Sequence, residues 1–231
     1  MAPRNEERRR EILASTYSLL DEASYDRVSL NDIARGAGIK KSLLQRYFPQ
    51  KIDIIKEMLT TLLDVSYNYM GTLAQDEKPE KDLFQRISNF NMLFFAAVAE
   101  DYRMYQFILA TVASPEILDV WIDTICNWLR RYIQSRQFNM LDLRCALCFA
   151  MGGSMHLFQH QEELGIDYTF FCEKHIRAIL EFLNYSAEEI DAICNETEEW
   201  IERTDVGSFL EYCRNEIDWI EERDEKIPAS F

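Results

Sequence analysis

Between residues 40 and 46 the chain reads Lys-Lys-Ser-Leu-Leu-Gln-Arg, a run rich in groups able to touch nucleic acid. Lys and Arg meet phosphates and guanine edges, while Ser and Gln serve either task. At helical spacing Lys40, Lys41, Ser42, Gln45 and Arg46 fall on the outer side, and Leu44 and Phe48 turn inward. A second group has a different chemistry. Cys145-x2-Cys148, His156-x3-His160 and Cys172-x2-His175 each put two soft ligands on one helical face, as a metal or thiol sensor needs. Their apolar neighbours, Ala146, Leu147, Phe149 and Ala150, are the setting of inert core cysteines. No metal or cofactor is therefore assigned, and a metal- or thiol-responsive regulator stands as the alternative. The chain contains no G-x-S-x-G, P-loop or G-x-G-x-x-G motif, and three histidines leave few general bases. It does not read as an enzyme.

The elements that position these groups are helices. The 231 residues include only seven Gly and five Pro, too few for an all-β fold, and 48% apolar content with 28% charged is globular composition. Apolar periodicity predicts helices over about 4–22, 29–36, 40–47 and 51–74. Ser29-Leu-Asn-Asp32 is a capping box opening the second, and Gly38 lies in the turn before the third. Further helices are expected over 81–99, 101–112, 114–136, 141–163, 167–185, 186–203 and 208–224. Ser114-Pro115 and Ser186-Ala-Glu-Glu189 mark two starts. The fold class is all-α, with no credible strand.

Two short helices around a glycine turn, braced by a preceding helix, make a helix-turn-helix. Ala34, Ala37 and Gly38 allow the crossing, and Ile33, Ile39, Leu44 and Phe48 lock it. The segment Ile33-Ala-Arg-Gly-Ala-Gly-Ile-Lys-Lys-Ser-Leu-Leu-Gln-Arg-Tyr-Phe-Pro-Gln-Lys51, preceded by Ser24-Tyr-Asp-Arg-Val-Ser29, resembles the DNA-binding domain of TetR-family transcriptional regulators over residues 8–56. The resemblance implies a homodimeric repressor whose heads read successive major grooves of double-stranded operator DNA. It also implies a body that holds a small-molecule effector. Carried over by position, Lys41, Ser42, Leu43 and Arg46 would face bases, and Ser29, Gln45, Tyr47 and Lys51 would contact phosphates. The chain departs from the family pattern at Lys40, Leu43 and Gln45, where Ser, Thr and Tyr are common. Leu43 and Gln45 are what would favour a protein-interaction module that has lost DNA readout.

Residues 1–50 are taken as the DNA-binding head and 51–231 as the effector-binding and dimerisation body, with 186–231 an acidic helical extension. Charge divides along the same line. The whole chain carries 40 acidic against 25 basic residues, net −15, yet residues 1–56 hold eleven basic and eight acidic groups, and 186–231 holds fifteen acidic and four basic. A basic head on an acidic body can dock on DNA by the head alone. On this reading the acidic tail keeps the body off DNA, and deleting it should raise nonspecific affinity. The run Arg8-Arg9-Arg10 is read as a solvated face.

In the body, dense aromatic and Met side chains can line a cavity between helices. Tyr67, Met70, Phe90, Asn91, Phe94, Tyr105, Gln106, Trp121, Met155 and His156 are the candidate effector contacts, for an apolar or aromatic ligand. Gly152 and Gly153 sit inside a helix, where each costs about 1 kcal/mol relative to Ala, so close helix approach is expected there. With Ile176, Ile179 and Leu180 they form the candidate dimer interface. No apolar run reaches the ~20 residues of a membrane span, and the charged start lacks a signal-peptide core, which points to the cytoplasm.

Overall fold

The computed structural model describes residues 3–23, 25–73, 83–112, 114–130 and 139–220. Twelve α-helices and one short 3-10 turn make up the architecture among these residues. The head is α1 (Pro3–Glu22), the turn Tyr25–Arg27, α2 (Leu30–Gly36) and α3 (Lys41–Tyr47). Ser29 caps α2 through the expected box: its hydroxyl receives Asp32 N–H, and the Asp32 carboxylate receives Ser29 N–H. Gly38 turns the chain at φ +64, a left-handed conformation that favours glycine. Gly36 is a close approach, since a Cβ there would meet Ser15 Oγ of α1. Ile12, Ile33, Leu44 and Phe48 are almost fully buried where the three helices meet.

The body contains α4 (Lys51–Leu73), α5 (Leu83–Glu100), α6 (Tyr102–Val112), α7 (Pro115–Arg130), α8 (Met140–Gln159), α9 (Gln161–Leu164), α10 (Tyr168–Phe182), α11 (Ala187–Ile201) and α12 (Val206–Glu216). Every residue from Ile87 to Val98 of α5 is buried, which makes α5 the axis of the body. Helices α10, α11, α4, α6 and α12 pack around it. Helix α4 leaves the head and runs beside α7, and α1 lies on α6, so two elements join head to body.

Several boundaries differ from the sequence expectation, most of all in the last third of the chain. The helix expected over 141–163 stops at Gln159, because His160 takes φ −110, ψ 13 before the single turn of α9. Gly165, at φ 64, then ends that turn. The last helix begins at Val206, capped by Asp205, and stops at Glu216. Ile217 is extended at φ −108, ψ 100, and the chain then turns Trp219 inward. The expected helical residues 74, 81–82, 131–136 and 221–224 lie outside the described residues.

The acidic extension is part of the core. Ile190, Ile193, Phe209, Leu210, Ile217 and Trp219 are buried. Gln85 of α5 donates to Asn89 Oδ1 at 2.9 Å and to Thr197 Oγ1 of α11 at 2.8 Å, all within the interior. Deleting 186–231 would therefore expose the body's apolar face and report on folding rather than on charge. Among the described residues no helix is long and apolar enough to cross a membrane.

Candidate nucleic-acid interface and internal cavity

Helix α3 exposes Lys41, Ser42, Gln45 and Arg46 to solvent, with Lys40 exposed at its start. Leu44 is the buried anchor of the helix, and Leu43 and Tyr47 are half-buried at its flanks. The outward face is thus polar and basic, the inward face apolar, and the helix is fixed by Leu44 and Phe48.

Two of the expected phosphate contacts have other work. Lys51 Nζ donates to the carbonyls of Tyr25 at 2.7 Å and Val28 at 2.9 Å, and lies 3.8 Å from the centre of the Tyr25 ring. Through these bonds Lys51 clamps the α1–α2 connector to the start of α4. Ser29 gives its hydroxyl proton to Asp32, and that bond, followed by the backbone bond in the capping box, holds the Asp32 carboxyl below its usual range. A phosphate would have to displace that carboxylate. In the basic run, Arg8 pairs with Glu11, and Arg9 pairs with Glu57 of α4 while covering Phe48 at 4.5 Å. Arg9 is a latch between helices, and Arg10 is exposed.

The body encloses a cavity of about 30 Å³ between α4, α5, α7, α8 and α10. Of the residues expected there, Tyr67, Phe90, Asn91, Phe94, Trp121 and Met155 line it. Met70, Tyr105, Gln106 and His156 do not: Met70 is buried elsewhere in the core, and His156 faces solvent. Trp128 and His175 line it instead. Both were missed because only the tertiary fold brings them in. A signal for His175 did exist, since it shares the inward stripe of α10 with Phe171, Cys172, Ile176 and Ile179.

Polar groups at the cavity are few and buried. Tyr67, stacked on Trp128 at 4.5 Å and 14°, carries a buried hydroxyl without a hydrogen-bond partner among the described residues. Burial, then the charge of Asp64, pushes its ionisation far up, so it stays a donor. His175 Nδ1 lies 2.7 Å from Ser154 Oγ. Ser154 Oγ also lies 2.7 Å from the Ala150 carbonyl, so when its one proton goes there His175 donates from Nδ1 and keeps a lone pair on Nε2. Burial lowers the His175 pKa to about 4, so the ring is neutral.

A pH dependence follows. The unfolded histidine takes up a proton below about pH 6.5, while the folded one resists until about pH 4. The stability held above pH 6.5 is lost as pH falls toward 4, by about 3 kcal/mol when both states are compared at the low end. Urea unfolding of the wild type and His175→Phe across this window checks the sign and size. Parallel pH profiles for the two proteins would refute it.

Cys145, Cys148, His156 and His160 lie on the exposed side of α8, whereas Cys172 and His175 point inside from α10. Cys172 is held against Asn91, whose amide donates to the Cys172 carbonyl at 3.3 Å, and burial pushes its thiol pKa well up. No cluster of three or more metal-ligating side chains occurs among the described residues. The three pairs do not converge.

The candidate interface residues divide likewise. Gly152 and Gly153 lie on an exposed face of α8, with nothing within 4 Å of a Cβ built on either. Ile176, Ile179 and Leu180 are buried inside the protomer, at 2% exposure or less, so they support α10 from within and offer no surface to a second copy. The exposed apolar side chains of this face are Leu141, Phe149 and Phe182, with Phe149 and Phe182 rings 6.0 Å apart.

Comparison with known proteins agrees with the helix-turn-helix geometry. Residues 12–58 match the family model described as bacterial regulatory proteins, tetR family. The HTH-type transcriptional regulator EthR of Mycobacterium tuberculosis (strain ATCC 25618 / H37Rv) is 25% identical over 129 residues, 55% of this chain and 59% of that one. EthR of Mycolicibacterium smegmatis is 25% identical over 131 residues, 55% of this chain and 58% of that one. The chain thus spans under two thirds of the length of these relatives. Among solved structures, RolR in complex with the ligand resorcinol superposes with a TM-score of 0.59 at 17% identity, covering 84% of this chain and 96% of RolR. A TetR transcriptional regulator from Rhodococcus sp. RHA1 gives 0.53 at 15%, covering 77% and 97%. At such identities the structural likeness establishes the all-α head-and-body fold.

Proposed function

We propose that the chain, whose residues 12–58 match the tetR family model, is a TetR-like homodimeric operator-binding repressor released by a small effector held in its body. The observation carrying this reading is the exposed face of α3, where Lys41, Ser42, Gln45 and Arg46 stand free on a helix whose other side is locked into the head. Lys40 and Leu43 flank that face, and Tyr47 adds a half-buried phenol at its edge. We assign residues 1–50 to DNA and 51–231 to ligand and dimerisation, with α4 as the rod between them.

Dimerisation through α8 and α10 is supported by the two glycines on α8. Each costs about 1 kcal/mol in a helix relative to Ala, and neither has a neighbour in the protomer to justify it. A second copy approaching closely at Gly152 and Gly153, with Leu141, Phe149 and Phe182 buried alongside, supplies the reason. Two heads on one dimer then read two half-sites in successive major grooves. Release by effector is a population shift between two head separations, and the effector must prefer one of them. The site of action is the chromosome, hence the cytoplasm.

Selection from a pool of randomised duplex DNA tests the proposal, and a palindrome with half-sites about one helical turn or more apart is the expected product. Failure of the folded protein to enrich any sequence would refute it. On the selected site, Lys41→Ala should weaken specific binding by about 1–3 kcal/mol and nonspecific binding much less. Equal losses would make Lys41 a phosphate contact only.

A further inference from the structure

The cavity in the body is selective in a way that its chemistry defines. Among the described residues no Asp, Glu, Lys or Arg lines it. An ionised ligand would leave water and find no opposite charge to compensate. The walls are aromatic and set at fixed angles: Tyr67 lies flat against Trp128, Phe90 tilts against Tyr67 at 4.5 Å, and Trp121 stands edge-on to Phe94. At about 30 Å³ the space is small for a ring, which enters by parting the walls. The stacked pair Tyr67–Trp128 is where a flat guest does so at least cost, because a ring inserted between two rings replaces one stack by two.

Of Tyr67, Asn91 and His175 in the lining, Asn91 donates its amide to the Cys172 carbonyl, and Tyr67 and His175 remain for such a guest. The Tyr67 hydroxyl is buried without a partner among the described residues and can donate. His175 is neutral and bonded to Ser154 through Nδ1, and in the Nδ1–H form its Nε2 can accept. A hydroxyl is the smallest group that accepts from one and donates to the other.

We propose that the effector is an uncharged planar ligand bearing one hydroxyl on an apolar ring, a phenol in chemical class, held between Tyr67 and Trp128 with its hydroxyl serving Tyr67 and His175. This rests on the effector-binding reading above.

The test uses three probes with one frame: 4-ethylphenol, ethylbenzene and 4-ethylbenzoate. Each is titrated calorimetrically into the full chain without DNA, so its outcome is independent of whether the head binds an operator. The expected result is that 4-ethylphenol binds at least tenfold more tightly than ethylbenzene, and that 4-ethylbenzoate gives no measurable heat. Tyr67→Phe should bring 4-ethylphenol down to within about threefold of ethylbenzene while leaving ethylbenzene unchanged. Because that variant deletes a buried unpartnered hydroxyl, its ligand-free melting temperature should not fall, which separates lost binding from lost folding. The proposal is overturned if ethylbenzene matches the phenol, if the benzoate binds as well, if no probe binds, or if Tyr67→Phe preserves the preference. Failure of the randomised-DNA selection would instead overturn the operator reading and leave these affinities as measured.

Discussion

Phe149→Glu should convert the protein to a monomer at micromolar concentration and lower operator affinity at least 100-fold, toward the nonspecific level. Phe149 is 68% exposed in the protomer, so it contributes little to the protomer's own packing. On the proposed interface it meets a second copy beside Phe182 and the two glycines. A carboxylate there must be desolvated at the centre of an apolar contact, opposite its own symmetry mate, and both effects oppose association. The protomer itself should unfold within about 0.5 kcal/mol of the wild type, as exposed substitutions usually do. Sedimentation gives the oligomeric state, and titration on the selected DNA gives the affinity. A dimer with unchanged operator binding would remove α8 from the interface. The same variant should leave phenol binding intact, since Phe149 does not line the cavity.

What could be read from the sequence was what is decided locally. Capping boxes at Ser29 and Ser186 formed as expected, because a Ser and an acidic residue three positions on satisfy each other's backbone N–H with no help from elsewhere. The apolar stripe of α10 was legible too, but what it faces was not. Periodicity marks a residue as inward without saying whether it meets core, cavity or a second copy, and so Ile176, Ile179 and Leu180 resembled an interface while being interior. Charge type misled at Lys51 for a related reason. A lysine at a helix start beside a DNA-binding element suggests a phosphate contact, yet the Tyr25 and Val28 carbonyls reach it first. Six of the ten expected cavity residues line the space; Tyr105 and Gln106 lie on α6, which contributes nothing to the lining, Met70 is buried elsewhere in the core, and His156 faces solvent.

The end of the chain gives the clearest case of distant packing overriding local pattern, and the second large effect. Ile217 and Ile220 continue the spacing of an amphipathic helix, yet the chain leaves helical geometry at Ile217. The gain is the placement of Trp219, 2% exposed, with its ring 5.2 Å from Tyr17 of α1 and 6.1 Å from Phe107 of α6. It thereby ties the acidic extension to the joint between head and body. Trp219→Ala should destabilise the protein by about 3 kcal/mol, within the range for deleting a buried large aromatic. Trp219→Phe should cost much less, about 1 kcal/mol or under. It keeps a ring against Tyr17 and Phe107 and removes an indole N–H that has no partner among the described residues. Urea unfolding measures both. Amide exchange adds the structural part: in Trp219→Ala, protection should fall in α1 and α12 together, because one side chain holds them to the same place. Loss confined to α12 would mean that the extension covers the joint without holding it. Concerted loss would make the extension a part of the head's support, through which any displacement of α1 on an operator must be felt in the body.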